Sequence, residues 1–241
     1  MAKSPIGRLP ANAIRQSMLP RLDPALLARY RALKDPTGSI SDALDELGLI
    51  GALPASLLRP SDPAACIVGQ ALTVRNRPRA EPVAAAVAAK SNRLGEIEAH
   101  NLAEPGDVLV IQSEGMVSNM GGLSASIGKR QGEIGAVVDG AVRDIARSRA
   151  LGYPIWSRHI SPVTGKWRLE TVEVNGPITI EGIHIAPGDL VVADEVGVCF
   201  VPFARAGDVL AVIERQAQNE AARQALIDQG TPLAEVEKAR R

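Results

Sequence analysis

Apolar runs and helical patterns alternate through the middle of the chain. Continuous apolar stretches at 66–74, 107–112 and 134–139 predict buried strands. A glycine-containing loop and a helix to about Arg130 follow the second stretch, and a helix over about 142–150 follows the third. Strand, loop and helix repeated in this order predict a parallel sheet with right-handed crossovers.

The first hundred residues outside these strands are predicted to be mainly helical. A helix is expected over 24–34, because proline follows an aspartate at its start. A second helix is expected over about 41–47, with Ser39 or Ser41 as its cap. The alanine-rich stretch 82–100 predicts a third.

The pattern changes after residue 154. Short β-rich runs separated by glycine and proline are followed by a long helix over about 206–228, which carries an apolar stripe. The fold class predicted from these elements is α/β, with layers of helix and sheet. The short runs lie at 154–158, 171–174, 177–180, 190–193 and 198–201.

We expect one domain with two appendages. Residues 1–22 carry basic side chains but no continuous apolar stretch, so they are interpreted as an N-terminal arm and not as a secretory signal. Residues 23–230 form the predicted single α/β domain, and residues 231–241 a charged C-terminal tail.

Charge and composition exclude several kinds of partner. Lys plus Arg and Asp plus Glu number 27 each, and aromatic residues make up only 2% of the chain, so nucleic acid is disfavoured as a partner. No apolar run approaches the roughly 20 residues of a membrane helix. Cys66 and Cys199 lie in apolar contexts and are interpreted as buried free thiols of a reducing compartment, so we expect a cytoplasmic protein.

Candidate chemistry lies in residues 139–144 (DGAVRD), where we expect a strand to end and a helix to begin. Gly140 would allow the tight turn. Arg143 offers a planar fork for two carboxylate oxygens, and Asp144 a hard oxygen ligand for Mg²⁺ or Mn²⁺. Such a pair suits a 2-oxo acid, because the cation binds its carboxylate while the metal polarises its keto oxygen. A surface ion pair in the first turn of a helix is the alternative interpretation.

The loop 118–126 (SNMGGLSAS) is the second candidate element. Two glycines precede a helix there and expose backbone N–H groups that could receive an anionic oxygen. Alternatively, the glycines merely allow strand and helix to pack closely. Their spacing does not match a dinucleotide-binding fingerprint or a P-loop.

Several segments in combination resemble one protein family. They are PGDVLVIQ, MGGLSAS, GAVVDGAVRD, YPIWSR and IHIAPGDLVVADEVGVCFVP, and the resemblance runs from about Ser39 to Gly230. The family holds the regulator of ribonuclease activity A and the class II pyruvate aldolases that act on 4-hydroxy-4-methyl-2-oxoglutarate and 4-carboxy-4-hydroxy-2-oxoadipate. The resemblance implies a swivelling β/β/α domain similar to phosphohistidine domains, with a long C-terminal helix. It also implies a homotrimer or homohexamer with active sites between subunits.

The resemblance further implies roles for individual residues. Arg143 falls on the arginine that binds the pyruvyl carboxylate, and Asp144 on the aspartate that binds the metal. Glu220, in the long helix, approximately matches an acid that a neighbouring subunit contributes near the metal. The loop whose backbone amides face the substrate corresponds to Gly121, Gly122, Leu123 and Ser124.

One position departs from the aldolase pattern. Aldolase members carry an acidic residue after the first loop glycine, where this chain has Gly122. The difference removes one group that assists metal-bound water, and Glu114 is a candidate to supply the missing carboxylate. Ser126 stands at the position of the phosphohistidine, which disfavours phosphotransfer.

The remaining polar candidates carry less chemistry. The histidines form no metal-binding spacing, and we interpret each as a surface or hydrogen-bonding residue. Arg158 is a candidate for a second substrate contact, and Asp194 for a structural role in a turn. The histidines are His100, His159 and His184.

These expectations describe a divalent-metal-dependent lyase. It would stabilise a pyruvate-type enolate during retro-aldol cleavage of a 4-hydroxy-2-oxo acid, with oxaloacetate decarboxylation as a related activity. Mg²⁺ or Mn²⁺ is the expected cofactor. One alternative is a non-catalytic regulator that binds a ribonuclease. Another is an isomerase or other metal-assisted enzyme acting on a small oxo or hydroxy acid.

Overall fold

The computed structural model describes residues 3–238, so residues 1–2 of the predicted arm and 239–241 of the predicted tail lie outside the described residues. The α-helices within that range are α1 (Pro24–Arg31), α2 (Pro36–Glu46), α3 (Val83–Ala88), α4 (Glu96–Leu102), α5 (Gly122–Gln131), α6 (Ile145–Ala150), α7 (Ala206–Asp228) and α8 (Leu233–Lys238). The strands are β1 (Ala52–Pro54), β2 (Arg59–Pro60), β3 (Ile67–Pro78), β4 (Asp107–Gln112), β5 (Ser118–Met120), β6 (Gly135–Val142), β7 (Ile155–Ile160), β8 (Leu169–Val174), β9 (Ile178–Ile180), β10 (Ile183–Ile185), β11 (Leu190–Ala193) and β12 (Gly197–Val201).

A mixed sheet forms the centre of the fold. Its main path runs β1-β12-β11-β3-β4-β6-β7-β2, while β5 pairs with β6 and β8 pairs with β3. Strands β3, β4, β6 and β7 are mutually parallel, which confirms the predicted strand–loop–helix units. Strands β11 and β12 join this parallel centre in antiparallel pairing.

Alternate side chains of the central strands enter two different cores. Leu109 and Ile111 of β4 pack with residues of α4 and α5 on one face. Val108 and Val110 pack on the other face, under the β9–β10 hairpin. Because both faces are covered, β4 is apolar from Val108 to Ile111, as expected for a buried parallel strand. A third core lies under α1, α2 and α7.

Two predicted helices are wrong in extent. The alanine-rich stretch 82–100 forms two short helices, because Lys90 adopts a left-handed conformation (φ 51°) after α3 and a loop follows. Helix α2 begins at Pro36 and not after Ser39 or Ser41. Proline is favoured in the first helical turn, where its missing N–H has no intrahelical partner to lose.

Two more predictions, one at the candidate site and one for the cysteines, are also wrong. Strand β6 continues to Val142, so Gly140 lies within the strand and makes no turn. A Cβ at Gly140 would lie 2.5 Å from Asn119 Nδ2, so the absent side chain makes room for that amide. The cysteines are both free, but Cys66 is exposed and only Cys199 is buried.

The N-terminal arm is fastened to α4. The backbone N–H groups of Ile6 and Leu9 donate to the Glu98 carboxylate at 2.9 and 3.3 Å, and the Arg8 N–H donates to it as well. Glu98 itself is buried. Leu9 also packs over Gly95, where a Cβ would approach within 2.6 Å of it. The arm therefore covers the helix that borders the candidate site.

Across residues 3–238, none of the helices has the length and apolar character needed to span a lipid bilayer.

Candidate active site

The candidate residues meet where β5 and β6 end side by side. Strand β5 pairs in parallel with Ala141 and Val142 at the end of β6. The Arg143 N–H then donates to the Met120 carbonyl at 3.2 Å, which ties the two following loops together. The loop 118–126 and the Arg143–Asp144 pair are consequently neighbours in space, as the sequence predicts for carboxyl ends of parallel strands.

Asp144 has an unusual backbone conformation. Its φ of 58° and ψ of 35° lie in the left-handed region, directly before α6. Its Oδ2 accepts a hydrogen bond from the Gly122 N–H at 2.9 Å and lies 3.7 Å from Arg143 Nε. The side chains of Arg143 and Asp144 are 44% and 48% exposed, so the pair also faces solvent. The conformation costs free energy in a non-glycine residue and holds the carboxylate against the glycine loop.

Gly121 has to be a glycine for this arrangement. A Cβ there would lie 2.7 Å from Asp144 Oδ2 and 3.1 Å from Arg143 Nε. A Cβ at Gly122 would lie 2.4 Å from Arg147 Cδ. The Arg147 side chain therefore occupies the place that an acidic side chain at position 122 would need, and it donates to Ser126 Oγ at 3.1 Å. The glycines therefore allow close packing, and this packing brings the Gly122 N–H to the Asp144 carboxylate.

A cleft of about 680 Å³ opens beside the pair. Gly121, Leu123 and Ser124 line it together with Arg143 and Asp144, and Gly122 does not. Its cationic side chains outnumber its carboxylates: they are Arg8, Lys90, Arg143 and Lys166, against Glu96 and Asp144. Such a cleft favours anionic ligands.

The Arg143–Asp144 pair also borders a second cleft of about 540 Å³ on its other side. Ile160 at the end of β7 lines this cleft and is 71% exposed. Leu123, beside the first cleft, is 68% exposed. Exposed aliphatic side chains of this size next to a polar site mark a surface suited to contact with another protein chain.

The donor set fits Mg²⁺ or Mn²⁺ held by a single carboxylate. Asp144 Oδ2 takes one backbone N–H, which leaves Oδ1 and one lone pair of Oδ2 for an ion, and the glycine loop leaves the space that a Cβ would fill. The described residues contain no cluster of three or more His, Cys, Asp or Glu side chains that could enclose a metal. Mg²⁺ is commonly held by one or two carboxylates and completes its coordination with water and substrate oxygens.

A buried hydrogen-bond chain lies behind the glycine loop. His100 Nε2 and Ser124 Oγ are 2.8 Å apart, and His100 Nδ1 and Glu133 Oε1 are also 2.8 Å apart. The Tyr153 hydroxyl donates to Glu133 Oε2 at 2.6 Å. His100 is a hydrogen-bonding residue, as expected, but its contact with the site loop has no signal in sequence, because its partners lie 24 and 33 residues away.

Burial perturbs two ionisable groups near this chain. Burial, and then the neighbouring Glu133 carboxylate, raise the pKa of Tyr153 well above its ordinary value, so the phenol stays protonated. Burial raises the pKa of Glu96 in the first turn of α4, and a backbone hydrogen bond, followed by the nearby His100 and Arg8, opposes that rise. Glu96 lines the cleft.

Other predicted residues lie away from the cleft. Arg158 does not line it, because its guanidinium is paired with Asp139 and Glu181. Glu114 is exposed and does not line it either. Asp194 holds its turn, accepting from Val196 N–H at 2.8 Å and from Thr37 Oγ1 at 2.7 Å. Residues that are exposed or half-buried and do not line the cleft are His159, His184 and Glu220.

The chain is similar to known proteins both in sequence and in structure. Residues 37–200 match the RraA-like family, described as Aldolase/RraA. A protein of Halalkalibacterium halodurans, provisionally named 4-hydroxy-4-methyl-2-oxoglutarate aldolase, is 35% identical over 205 residues, which cover 84% of this chain and 89% of the relative.

Two solved structures share the fold. An uncharacterized protein from Pseudomonas syringae is 28% identical with a TM-score of 0.75, over 92% of this chain and 96% of its own. RraAS2 of Streptomyces coelicolor, described as an unusual member of the RNase ES inhibitor RraA protein family, is 28% identical with a TM-score of 0.70, over 86% of this chain and 99% of its own.

Proposed function

We propose that this chain, which belongs to the RraA-like family, is a divalent-metal-dependent lyase that cleaves a 4-hydroxy-2-oxo acid to a pyruvate-type product. One observation carries the proposal: Arg143 and Asp144 stand side by side at a cationic cleft, packed closely against a glycine loop. The aldolase name of the Halalkalibacterium halodurans relative supports the same reaction class.

Each group of the site has a part in holding the substrate. The Arg143 guanidinium binds the 1-carboxylate of the oxo acid through two parallel hydrogen bonds. The N–H groups of Leu123 and Ser124, in the first turn of α5, have no intrahelical partner and point toward the developing negative charge on the keto oxygen. Asp144 would hold the divalent ion, which when bound supplies a Lewis acid to the keto oxygen.

The charge of the cleft indicates a substrate with a second carboxylate. Arg143 and Asp144 roughly balance one another, which leaves Arg8, Lys90 and Lys166 against Glu96. A dicarboxylate such as 4-hydroxy-4-methyl-2-oxoglutarate or oxaloacetate is therefore favoured over a monocarboxylate. We expect the KM for the dicarboxylate to rise with ionic strength, since partly exposed charges are screened by salt.

A neighbouring copy of the chain completes the site in this proposal. The exposed Leu123 and Ile160 border the two clefts and would be covered by a second subunit. Glu220, exposed on α7, is the acid that the neighbour would bring. We propose a homotrimer or homohexamer on this basis, and the molar mass measured by light scattering after size-exclusion chromatography tests it.

Purified protein tests the reaction directly. Pyruvate release from 4-hydroxy-4-methyl-2-oxoglutarate and from oxaloacetate is followed with Mg²⁺, with Mn²⁺ and with excess chelator. We expect activity that the chelator abolishes and added metal restores. Arg143→Lys should raise KM because the two-pronged contact is lost. Arg29→Lys, which alters an exposed ion pair with Glu214, is the matched control. Full activity in excess chelator would refute the metal-dependent mechanism.

Mixed oligomers test the contribution of the neighbouring subunit. Asp144→Asn and Glu220→Gln are each expected to be inactive alone. If each site combines the two residues from different chains, random mixing restores about one quarter of the sites. If mixing restores no activity while both variants assemble normally, Glu220 does not belong to a shared site.

Ribonuclease binding is a second candidate function, supported by the likeness to RraAS2. A stable complex with a bacterial ribonuclease that survives Arg143→Ala and Asp144→Ala, in a protein without lyase activity, would favour it over the lyase.

A further inference from the structure

Ser124, His100 and Glu133 form a continuous hydrogen-bonded chain that begins at the cleft and ends in the core. Ser124 is 8% exposed and lines the cleft, as does His100 at its inner wall. Glu133 is buried at 1% exposure beneath them. The three residues come from α5, α4 and the segment before β6, so the fold and not the local sequence brings them together.

The hydrogen bonds of Glu133 fix the direction of this chain. Its Oε2 accepts from the Tyr153 hydroxyl at 2.6 Å, and its Oε1 lies 2.8 Å from His100 Nδ1. Tyr153 stays a donor because its pKa is raised. Taken as a carboxylate that accepts at both oxygens, Glu133 places the imidazole proton on Nδ1. His100 Nε2 is then left to accept the proton of the Ser124 hydroxyl at 2.8 Å.

The arrangement has the three parts of a general-base system. An imidazole is oriented by a buried carboxylate and faces a hydroxyl at the wall of a ligand cleft. Burying an ionisable pair brings the fold little stability, because a well-packed apolar cluster of the same volume is typically as stable. The chain therefore has a better explanation in chemistry than in packing.

We propose that Ser124 and His100 are the proton-transfer pair of this site, with Glu133 and Tyr153 as the residues that position them. This inference rests on the lyase function proposed above. It assigns the proton transfer to groups of the same subunit, in a loop where position 122 is a glycine and the Arg147 side chain occupies the space beside it.

The proton balance of the reaction is simple. Ser124 Oγ takes the proton of the substrate 4-hydroxyl while its own proton passes to His100 Nε2. The C3–C4 bond breaks, a carbonyl forms at C4, and the bonding electron pair enters the enolate of the pyruvate fragment. The proton then returns from Nε2 through Ser124 to C3, which gives the methyl group of pyruvate. The pair ends in its starting protonation state.

Other charged groups also face His100. Glu96 lies one turn earlier on α4, and Arg8 of the arm lies near it. The Glu133 carboxylate is in direct contact from the other side. Of these three groups Glu96 and Glu133 are acidic and only Arg8 is basic, so together they favour the transient imidazolium.

Kinetics of Ser124→Ala and His100→Asn test the proposal, using retro-aldol cleavage and exchange of the pyruvate methyl protons with deuterated solvent. We expect each variant to lower both rates about 100-fold, with KM within about twofold of wild type. The double variant should be no slower than the singles, because the residues act as a unit. Ser56→Ala is the control, an exposed serine that does not line the cleft, and should keep wild-type rates.

A second readout does not depend on activity. In ¹⁵N NMR of the unliganded protein, His100 should carry its proton on Nδ1, and Ser124→Ala should shift the Nε2 resonance. A proton on Nε2 would overturn the proposal. If His100→Asn fails to fold, Ser124→Ala carries the test, because it removes only one hydroxyl.

The outcomes separate the two hypotheses. If the wild-type protein shows neither cleavage nor methyl exchange with any divalent ion added, the lyase function is refuted, and the proton-transfer assignment is refuted with it. If the wild-type protein is active and Ser124→Ala keeps the same rates, only the proton-transfer pair is refuted.

Discussion

Replacing Asp144 by glycine and by alanine separates the chemistry of this residue from its backbone conformation. Both substitutions remove the carboxylate and its hydrogen bond to the Gly122 N–H. They differ in what the backbone at φ 58° and ψ 35° costs. For alanine, a left-handed conformation costs about 1–2 kcal/mol, while glycine adopts it freely.

The expected difference between the two variants follows from these terms. Glycine loses about 0.5–1 kcal/mol more than alanine when the freer unfolded chain becomes ordered. The remaining advantage of Asp144→Gly over Asp144→Ala is about 1 kcal/mol, which corresponds to a melting temperature roughly 2–4 °C higher for a chain of this size. Lyase activity should fall in both variants by more than the roughly 10–100-fold lost when a group supporting a metal ligand is removed.

Urea unfolding followed by circular dichroism measures the first quantity, and steady-state kinetics the second. An Asp144→Ala protein as stable as Asp144→Gly would refute the left-handed conformation. Substantial activity in either variant would refute the role of the carboxylate. The two results are independent, so the stability measurement tests the backbone conformation and the kinetics separately test the role of the carboxylate.

Two further predictions concern packing and charge at the cleft. Gly121→Ala should lower kcat/KM about 100-fold, because its Cβ would lie 2.7 Å from Asp144 Oδ2 and 3.1 Å from Arg143 Nε and would push the pair apart. Gly38→Ala, where a Cβ meets nothing within 4 Å, is the control. Burial raises the pKa of Glu96, so the folded state binds this proton more tightly than the unfolded chain. Its contribution to stability is present below the ordinary pKa and is lost as pH rises through the raised one. Glu96→Gln should therefore increase the free energy of unfolding relative to wild type at pH 8 and change it little at pH 4. A difference between variant and wild type that is the same at both pH values would contradict the argument.

Strands were easier to predict than helix boundaries, for a physical reason. Strand β4 is buried on both faces, so its apolar run predicts a strand even when the neighbouring strands are unknown. The alanine-rich stretch 82–100 has high helix propensity throughout, yet the chain breaks there. Leu9 of the arm packs onto Gly95, and Lys90 adopts a left-handed conformation. A contact between residues so far apart in sequence leaves no trace in local propensity.

The candidate site divides in the same way. Arg143 and Asp144 are adjacent in sequence, so their association needed only the end of one strand to be recognised. The chain from Ser124 through His100 to Glu133 joins residues from three elements, and no spacing rule anticipates it. Likewise, nothing local indicates that Arg147 fills the space above Gly122. Sequence thus locates charges, while packing decides which of them can act together.

The N-terminal arm lets the first residues of the chain affect a site whose other residues lie about a hundred positions later. Three of its amides donate hydrogen bonds to Glu98, on the same helix as His100, and Arg8 contributes charge to the cleft. Removal of the residues before Pro10 would leave the buried Glu98 carboxylate without these donors and would loosen that helix. Every residue of the glycine loop and the Arg143–Asp144 pair would still be present. Under the mechanism proposed above, we expect such a shortened protein to fold and yet to transfer protons poorly.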